Sequence, residues 1–156
     1  MRISAHGLAI DVPGGWDARI RLAPGGANTS DSSSFTAHPV LHAADFALPE
    51  KRGDFGSGVV DVMRSTNAFI ALVEYGSDST NTALFAHAGP PRHISPHAFS
   101  VQQLHRTIRG QAGVQQFFSA QGRAFCLYVV IGSMAKRNSV VSKVNGTLAG
   151  IEIGAS

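Results

Sequence analysis

Seven histidines and one cysteine are the side chains best suited to metal binding or catalysis. His38 and His42 are four residues apart, as are His93 and His97, and this spacing pairs two ligands on one helix face. A proline follows His38 and another lies between the second pair, so neither pair is expected on a helix. On a strand this spacing separates the side chains by about 13 Å, too far to share an ion. We therefore predict no metal or cofactor site, unless the loop histidines converge with His105.

Residues 53–58 read Gly-Asp-Phe-Gly-Ser-Gly and resemble a phosphate-binding loop in composition. No lysine follows the last glycine, and the glycines do not have dinucleotide-loop spacing. Ser57 does not lie in the G-x-S-x-G pattern of a hydrolase. We interpret the segment as a flexible turn and predict no catalytic residue there. A serine, histidine and aspartate triad is recognised by its geometry, so an enzyme with a histidine-lined pocket stays an alternative.

Cys126 lies between Phe125 and Leu127 in the most apolar stretch of the chain. This setting predicts a buried, unreactive thiol, because reactive thiols need an electropositive and partly exposed environment. As the only cysteine it excludes an internal disulfide. The neighbouring Phe117 and Phe118 point to opposite faces of a strand. If one face is open, its phenylalanine marks a ligand cleft or a subunit contact.

Charge is distributed unevenly along the chain, whose formal net charge is +3. Residues 1–89 are net acidic, whereas residues 90–156 contain seven basic residues and one acidic residue. Arg106 and Arg109 on a predicted helix, with Arg123 at a hairpin end, are candidates for one basic binding face. Such a face attracts anionic ligands or acidic partner surfaces, although a solvated surface is the simpler interpretation. Nucleic acid is an unlikely partner, because no run of basic residues exceeds two.

Length and composition predict one domain covering residues 1–156, because 44% of the residues are hydrophobic and supply a full core. The longest apolar run, Ala124 to Ile131, is too short to span a bilayer, so no membrane partner is expected. The amino terminus lacks the apolar region of a signal peptide, which predicts a cytoplasmic protein. The Ser/Gly-rich residues 24–36 are expected to form a flexible loop.

Apolar patterning predicts seven strands and two helices. The strands cover residues 8–12, 18–22, 40–46, 68–75, 114–119, 123–131 and 151–153. The first two are expected to pair as a hairpin around Pro13-Gly14-Gly15, and residues 114–131 form a second hairpin. One helix begins after Ser95 and the other after Asn138 or Ser139. These elements predict an α+β fold, with helices packed on a central, mainly antiparallel sheet as in an α/β/α sandwich.

The order of three features resembles the PsbP-like superfamily. They are the opening strand that leads into Pro13-Gly14-Gly15-Trp16, the hairpin around Gln121-Gly122-Arg123, and the closing helix and strand from Ser139 to Ile153. That superfamily includes the extrinsic P subunit of photosystem II, a Ran-binding nuclear import factor and small actinobacterial lipoproteins. The resemblance implies the same α+β fold and an accessory role without catalysis, but no set of binding residues.

From the chain we expect a non-catalytic binding or accessory module that contacts a protein partner or another copy of itself. Two alternatives remain open. One is binding of an anionic ligand or nucleic acid through the basic carboxyl-terminal half. The other is a small enzyme with a histidine-lined pocket.

Overall fold

The computed structural model describes residues 1–23 and 37–155, so the predicted flexible loop at 24–36 lies outside the described residues. Within them the chain forms eight strands, one α-helix and short 3-10 turns. The strands are β1 (Arg2–Ala5), β2 (Leu8–Asp11), β3 (Asp17–Ala23), β4 (His38–Ala44), β5 (Ala68–Tyr75), β6 (Ala112–Ala120), β7 (Arg123–Ile131) and β8 (Ile151–Ile153). The helix α1 covers Arg137–Leu148.

The central sheet has five strands in the order β3-β4-β5-β7-β6, and every neighbouring pair is antiparallel. The predicted α+β class with a central antiparallel sheet is confirmed. The inner strand β7 is buried along its whole length, as its unbroken apolar sequence indicates. No helix in the described part of the chain is long and apolar enough to cross a membrane.

The predicted hairpin of the first two strands is wrong. β2 pairs with β1 and β8 in a separate three-stranded sheet, whereas β3 pairs with β4. The hairpin partner of β2 is β1, through a two-residue turn at His6 and Gly7 whose φ angles are 53° and 76°. Two successive positive φ angles match the type I′ turn, whose twist suits antiparallel strands. Pro13-Gly14-Gly15 instead carries the chain from the small sheet to the central one.

One face of the central sheet is covered by α1 and by the small sheet. The helix buries the predicted stripe of Val140, Val141, Val144 and Leu148. Its start differs from the prediction, because Lys136 occupies the N-cap position and no side chain caps the helix. Both proposed capping residues, Asn138 and Ser139, lie inside its first turn.

The opposite face carries no α-helix among the described residues, so the second helical layer of an α/β/α sandwich is not formed there. The predicted helix after Ser95 is replaced by two 3-10 turns, Pro96–Ala98 and Val101–Gln103. Ser95 does cap the first turn, because its Oγ accepts a hydrogen bond from the backbone N–H of His97. Ser100 interrupts the helix by pairing with Gly113 of the edge strand β6. This second face is the one that holds the candidate site.

The two sheets are joined through Arg123 at the start of β7, whose side chain is 3% exposed. Its Nε and Nη2 bind the two carboxylate oxygens of Glu74 at 2.9 and 2.7 Å. Its remaining N–H groups donate to the backbone carbonyls of His6, Gly7 and Gly154. All five guanidinium donors are therefore used, and they connect the central sheet to one end of the small sheet, where the turn between β1 and β2 lies beside the end of β8.

Candidate functional site

A cleft of about 330 Å³ opens on the second face of the central sheet, and we call it the Arg106 cleft. Tyr128 of β7 forms its floor, the segment 53–57 forms one wall, and His105 with Arg106 forms the other. Its lining residues are Gly53, Asp54, Phe55, Ser57, Val60, His105, Arg106 and Tyr128. The volume lies at the lower end of the range of small-molecule sites.

The wall formed by residues 53–57 is held in place by the buried His42 of β4. The His42 Nδ1 accepts a hydrogen bond from Arg52 Nε at 2.8 Å, and its Nε2 lies 2.8 Å from the carbonyl oxygen of Asp54. Arg52 can only donate, so the neutral ring carries its hydrogen on Nε2 and donates it to Asp54. Burial, reinforced by the charges of Arg52 and Arg21, lowers the pKa of His42 to about 4.

The same wall is tied to the edge strand β3 by Arg21. The Arg21 Nη2 group donates to the carbonyl oxygen of Arg52 at 2.9 Å and to Asp54 Oδ1 at 3.1 Å. Residues 53–58 form turns, as predicted, and these hydrogen bonds tie the turns to the sheet. The polar contacts that fix the segment come from strands β3 and β4, and no local sequence pattern predicts them.

Gly56 allows the wall to pack directly on the sheet, because its φ angle of +88° is one that L side chains rarely adopt. A Cβ atom at this position would lie only 2.6 Å from Phe69 Cε1. Gly89 provides a matched control, because its φ angle is +89° and nothing lies within 4 Å of the corresponding Cβ position.

We predict that Gly56→Ala destabilises the protein more than Gly89→Ala does. The Gly89 variant should lose about 1–2 kcal/mol of unfolding free energy through backbone strain alone. The Gly56 variant should lose about 1–3 kcal/mol more, because the new methyl group overpacks against Phe69. Urea unfolding of both variants measures the difference. Equal losses would mean that the wall moves away from Phe69 at little cost.

The second wall is built around the ring of His105, which lies against two other aromatic rings. Its centroid is 4.6 Å from that of Phe55 and 4.2 Å from that of Tyr128. The His105 Nε2 is hydrogen-bonded to the side-chain oxygen of Gln115 on β6. This contact fixes the ring in the wall of the cleft.

Tyr128 presents a hydrogen-bond donor at the floor of the cleft. Its hydroxyl oxygen accepts the backbone N–H of His105 at 2.9 Å, which leaves the hydroxyl hydrogen to donate. No acceptor for that hydrogen is found among residues 1–23 and 37–155. Burial raises the pKa of Tyr128, so the hydroxyl keeps its hydrogen at neutral pH.

Arg106 adds a positive charge at the mouth of the cleft. Its Nη1 lies 2.7 Å from Asp61 Oδ1, and the two side chains are 64% and 41% exposed. Ion pairs this exposed are weak, so a ligand can compete with Asp61 at little cost. Two strong donors, the Tyr128 hydroxyl and the Arg106 guanidinium, therefore line one cleft.

Only Arg106 of the three predicted basic residues lines this cleft. Arg109 is exposed near the far end of β7, since the carbonyl of the adjacent Gly110 accepts a hydrogen bond from Met134. Arg123 is buried at the opposite end of the same strand. The structure therefore does not bring Arg106, Arg109 and Arg123 onto one face, and the proposed basic face is not formed.

The remaining sequence candidates differ in their position relative to the Arg106 cleft. His105 is the histidine that lines it, and within the described residues no three His, Cys, Asp or Glu side chains are grouped to hold a metal. Cys126 is buried as predicted, and burial raises the pKa of its thiol to about 12. Phe118 is buried in the core of the first face, whereas Phe117 is half-buried on the cleft side.

Ser57, His105 and Asp54, the residue types of a hydrolytic triad, all line the cleft. Their hydrogen bonds lead elsewhere, because His105 binds Gln115 and Asp54 binds Arg21. No hydrogen bond links the three to one another in the part of the chain that the structure describes.

The chain matches no protein-family model, no curated protein and no solved structure. The resemblance to the PsbP-like superfamily therefore stays a prediction. The chemistry of the Arg106 cleft has to be inferred from its own side chains. Two of them, Tyr128 and Arg106, offer hydrogen-bond donors that a ligand could use.

Proposed function

We propose that this protein is a non-catalytic binding module that receives the anionic group of a ligand in the Arg106 cleft. The observation that carries the proposal is the unused donor of Tyr128 beside the charge of Arg106. Of the three functions expected from the sequence, this geometry favours the binding of an anionic ligand. Contact with a protein partner stays a prediction.

The hydrogen bonds of the cleft support binding more than catalysis. Among the described residues that line the cleft, Asp54 is the acidic one, and it is paired with Arg21, so its charge is already compensated. A carboxylate or phosphate would accept from Tyr128 and pair with Arg106, as charge-assisted hydrogen bonds require. Because Tyr128 is buried and held by the backbone of His105, its donor is positioned before any ligand arrives.

We predict that benzoate and phenyl phosphate bind the wild-type protein and that benzyl alcohol, their neutral counterpart, binds at least tenfold more weakly. Arg106→Gln should weaken binding of the two anions about tenfold or more, because a charged hydrogen bond contributes about 1.5–3 kcal/mol. Titration followed by ¹H–¹⁵N NMR gives the affinities and locates the site. The largest shifts are expected in residues 53–57 and 105–106.

Arg109→Gln is the matched control, because it removes the same charge from an exposed residue outside the cleft. Its affinity for both anions should stay within twofold of the wild type. An equal loss in both variants would indicate general attraction by positive charge and would contradict a site in the cleft. Equal binding of benzyl alcohol and benzoate would contradict the role of the anionic group.

A further inference from the structure

A second cavity of about 270 Å³ lies on the same face of the central sheet as the Arg106 cleft. Among the described residues, the linings of the two cavities share only Asp54 and Phe55. Ala23, Val40 and Val73 give the second cavity an apolar floor, and its other lining residues include His38, Asp54 and Glu74. The two carboxylates are paired with arginines, Glu74 with Arg123 and Asp54 with Arg21. The Phe55 ring therefore lines both the donor-lined cleft and a cavity with an apolar floor.

The floors of the two cavities lie on the neighbouring strands β5 and β7. Tyr128, the floor of the Arg106 cleft, and Cys126 are two residues apart on β7, so both point to this face. Cys126 is directly opposite Val73 of β5, a floor residue of the second cavity. Diagonal neighbours in an antiparallel pair are about 7–8 Å apart, so a short stretch of ligand spans the distance.

We propose that the ligand of the Arg106 cleft is an elongated organic acid whose apolar tail passes Phe55 into the second cavity. This inference rests on the proposed function, because the acid group is the one that Tyr128 and Arg106 would hold. The tail would lie on Val40 and Val73, where burial of methylene groups supplies affinity. The Arg106 cleft and the second cavity together favour an amphiphilic organic acid over a compact inorganic anion as the ligand.

Phe55 is the residue that would control the passage. It is partly buried, its ring contacts His105 and Tyr128, and it precedes the constrained Gly56. Because Phe55 lines both cavities, its ring is the group that a tail reaching from one to the other would have to pass. The length of acid that the protein accepts would follow from the position of this ring.

The test is a series of straight-chain carboxylates from butanoate to decanoate, kept below their micelle concentrations, with octan-1-ol as the neutral control. Affinity should rise about fourfold for each methylene that enters the second cavity. Octan-1-ol should bind at least tenfold more weakly than octanoate. Isothermal titration calorimetry measures all of these affinities on the full chain.

One variant and its control locate the tail. Val73→Phe fills the second cavity, so it should weaken decanoate at least tenfold and leave butanoate within twofold. Retained butanoate binding also shows that this variant is folded. Val101→Phe makes the same substitution at an exposed valine outside both cavities and should change neither affinity.

The outcomes separate this inference from the function on which it rests. If butanoate binds through Arg106 but affinity does not grow with chain length, the inference is overturned and the proposed function stands. If affinity grows equally with chain length in the wild type and in Val73→Phe, the tail lies elsewhere and the inference is also overturned. If no carboxylate binds, both fail.

Discussion

Arg123→Met should lower the free energy of unfolding by about 3–5 kcal/mol, the largest effect we expect from one substitution in this chain. Methionine keeps part of the aliphatic volume but removes five buried donors. Glu74 would be left as a buried carboxylate without its partner, and three backbone carbonyls would lose their hydrogen bonds. Urea denaturation at pH 7 measures the loss.

Arg92→Met is the matched control for that experiment. Arg92 also reaches the small sheet, through hydrogen bonds of 3.4 Å to the carbonyls of Ala149 and Ile151, but it is exposed. Its replacement should cost no more than about 0.5 kcal/mol. Glu74→Gln tests the other half of the pair and should also be strongly destabilising, because it leaves the Arg123 charge uncompensated. A loss below about 1 kcal/mol in Arg123→Met would show that Arg123 does not hold the sheets together.

Acidification from pH 6.5 to 4 should remove about 3 kcal/mol of stability through His42 alone. The unfolded histidine titrates near 6.5, whereas the folded pKa of His42 is about 4. Between these values the unfolded chain binds the additional proton, so stability falls as the pH falls. The contribution is complete above pH 6.5, and no further loss arises from His42 well below pH 4.

The measurement is urea unfolding at several pH values across that window, compared between the wild type and two variants. His42→Gln removes the titrating group and should flatten the pH dependence relative to the wild type. His93→Gln replaces an exposed histidine and should leave the wild-type slope unchanged. If His42→Gln and the wild type lose stability in parallel, His42 is not the group that resists protonation.

The hairpin of β6 and β7 and the buried strands were predictable because the sequence patterns that indicate them are local. The apolar runs of β5 and β7 leave few alternatives to an inner strand, and the turn at Gln121 and Gly122 lies between strands that pair as predicted. The first hairpin was mispredicted because Pro13-Gly14-Gly15 is a strong turn signal in itself. The competing turn at His6 and Gly7 follows a strand of only four residues.

The candidate site was less predictable, because long-range contacts assemble it. Arg106 and His105 were both singled out, but their meeting with Asp54 and Tyr128 depends on the sheet order. Arg123 illustrates the opposite error. An arginine at a hairpin end is usually solvated, and only the paired positions of Glu74 and the small sheet explain why this one is buried.

The pairing of β2 with β8 also constrains how the chain folds during synthesis. Leu8 is paired with Ile153, so β2 waits until the distant strand β8 has been synthesised before its sheet is complete. At usual translation rates this delay is on the order of 10 s. Closing the long loop between β2 and β8 is entropically unfavourable, so the small sheet should form after the hairpin of β6 and β7. Until then one edge of β2 stays unpaired and is open to association with other strands.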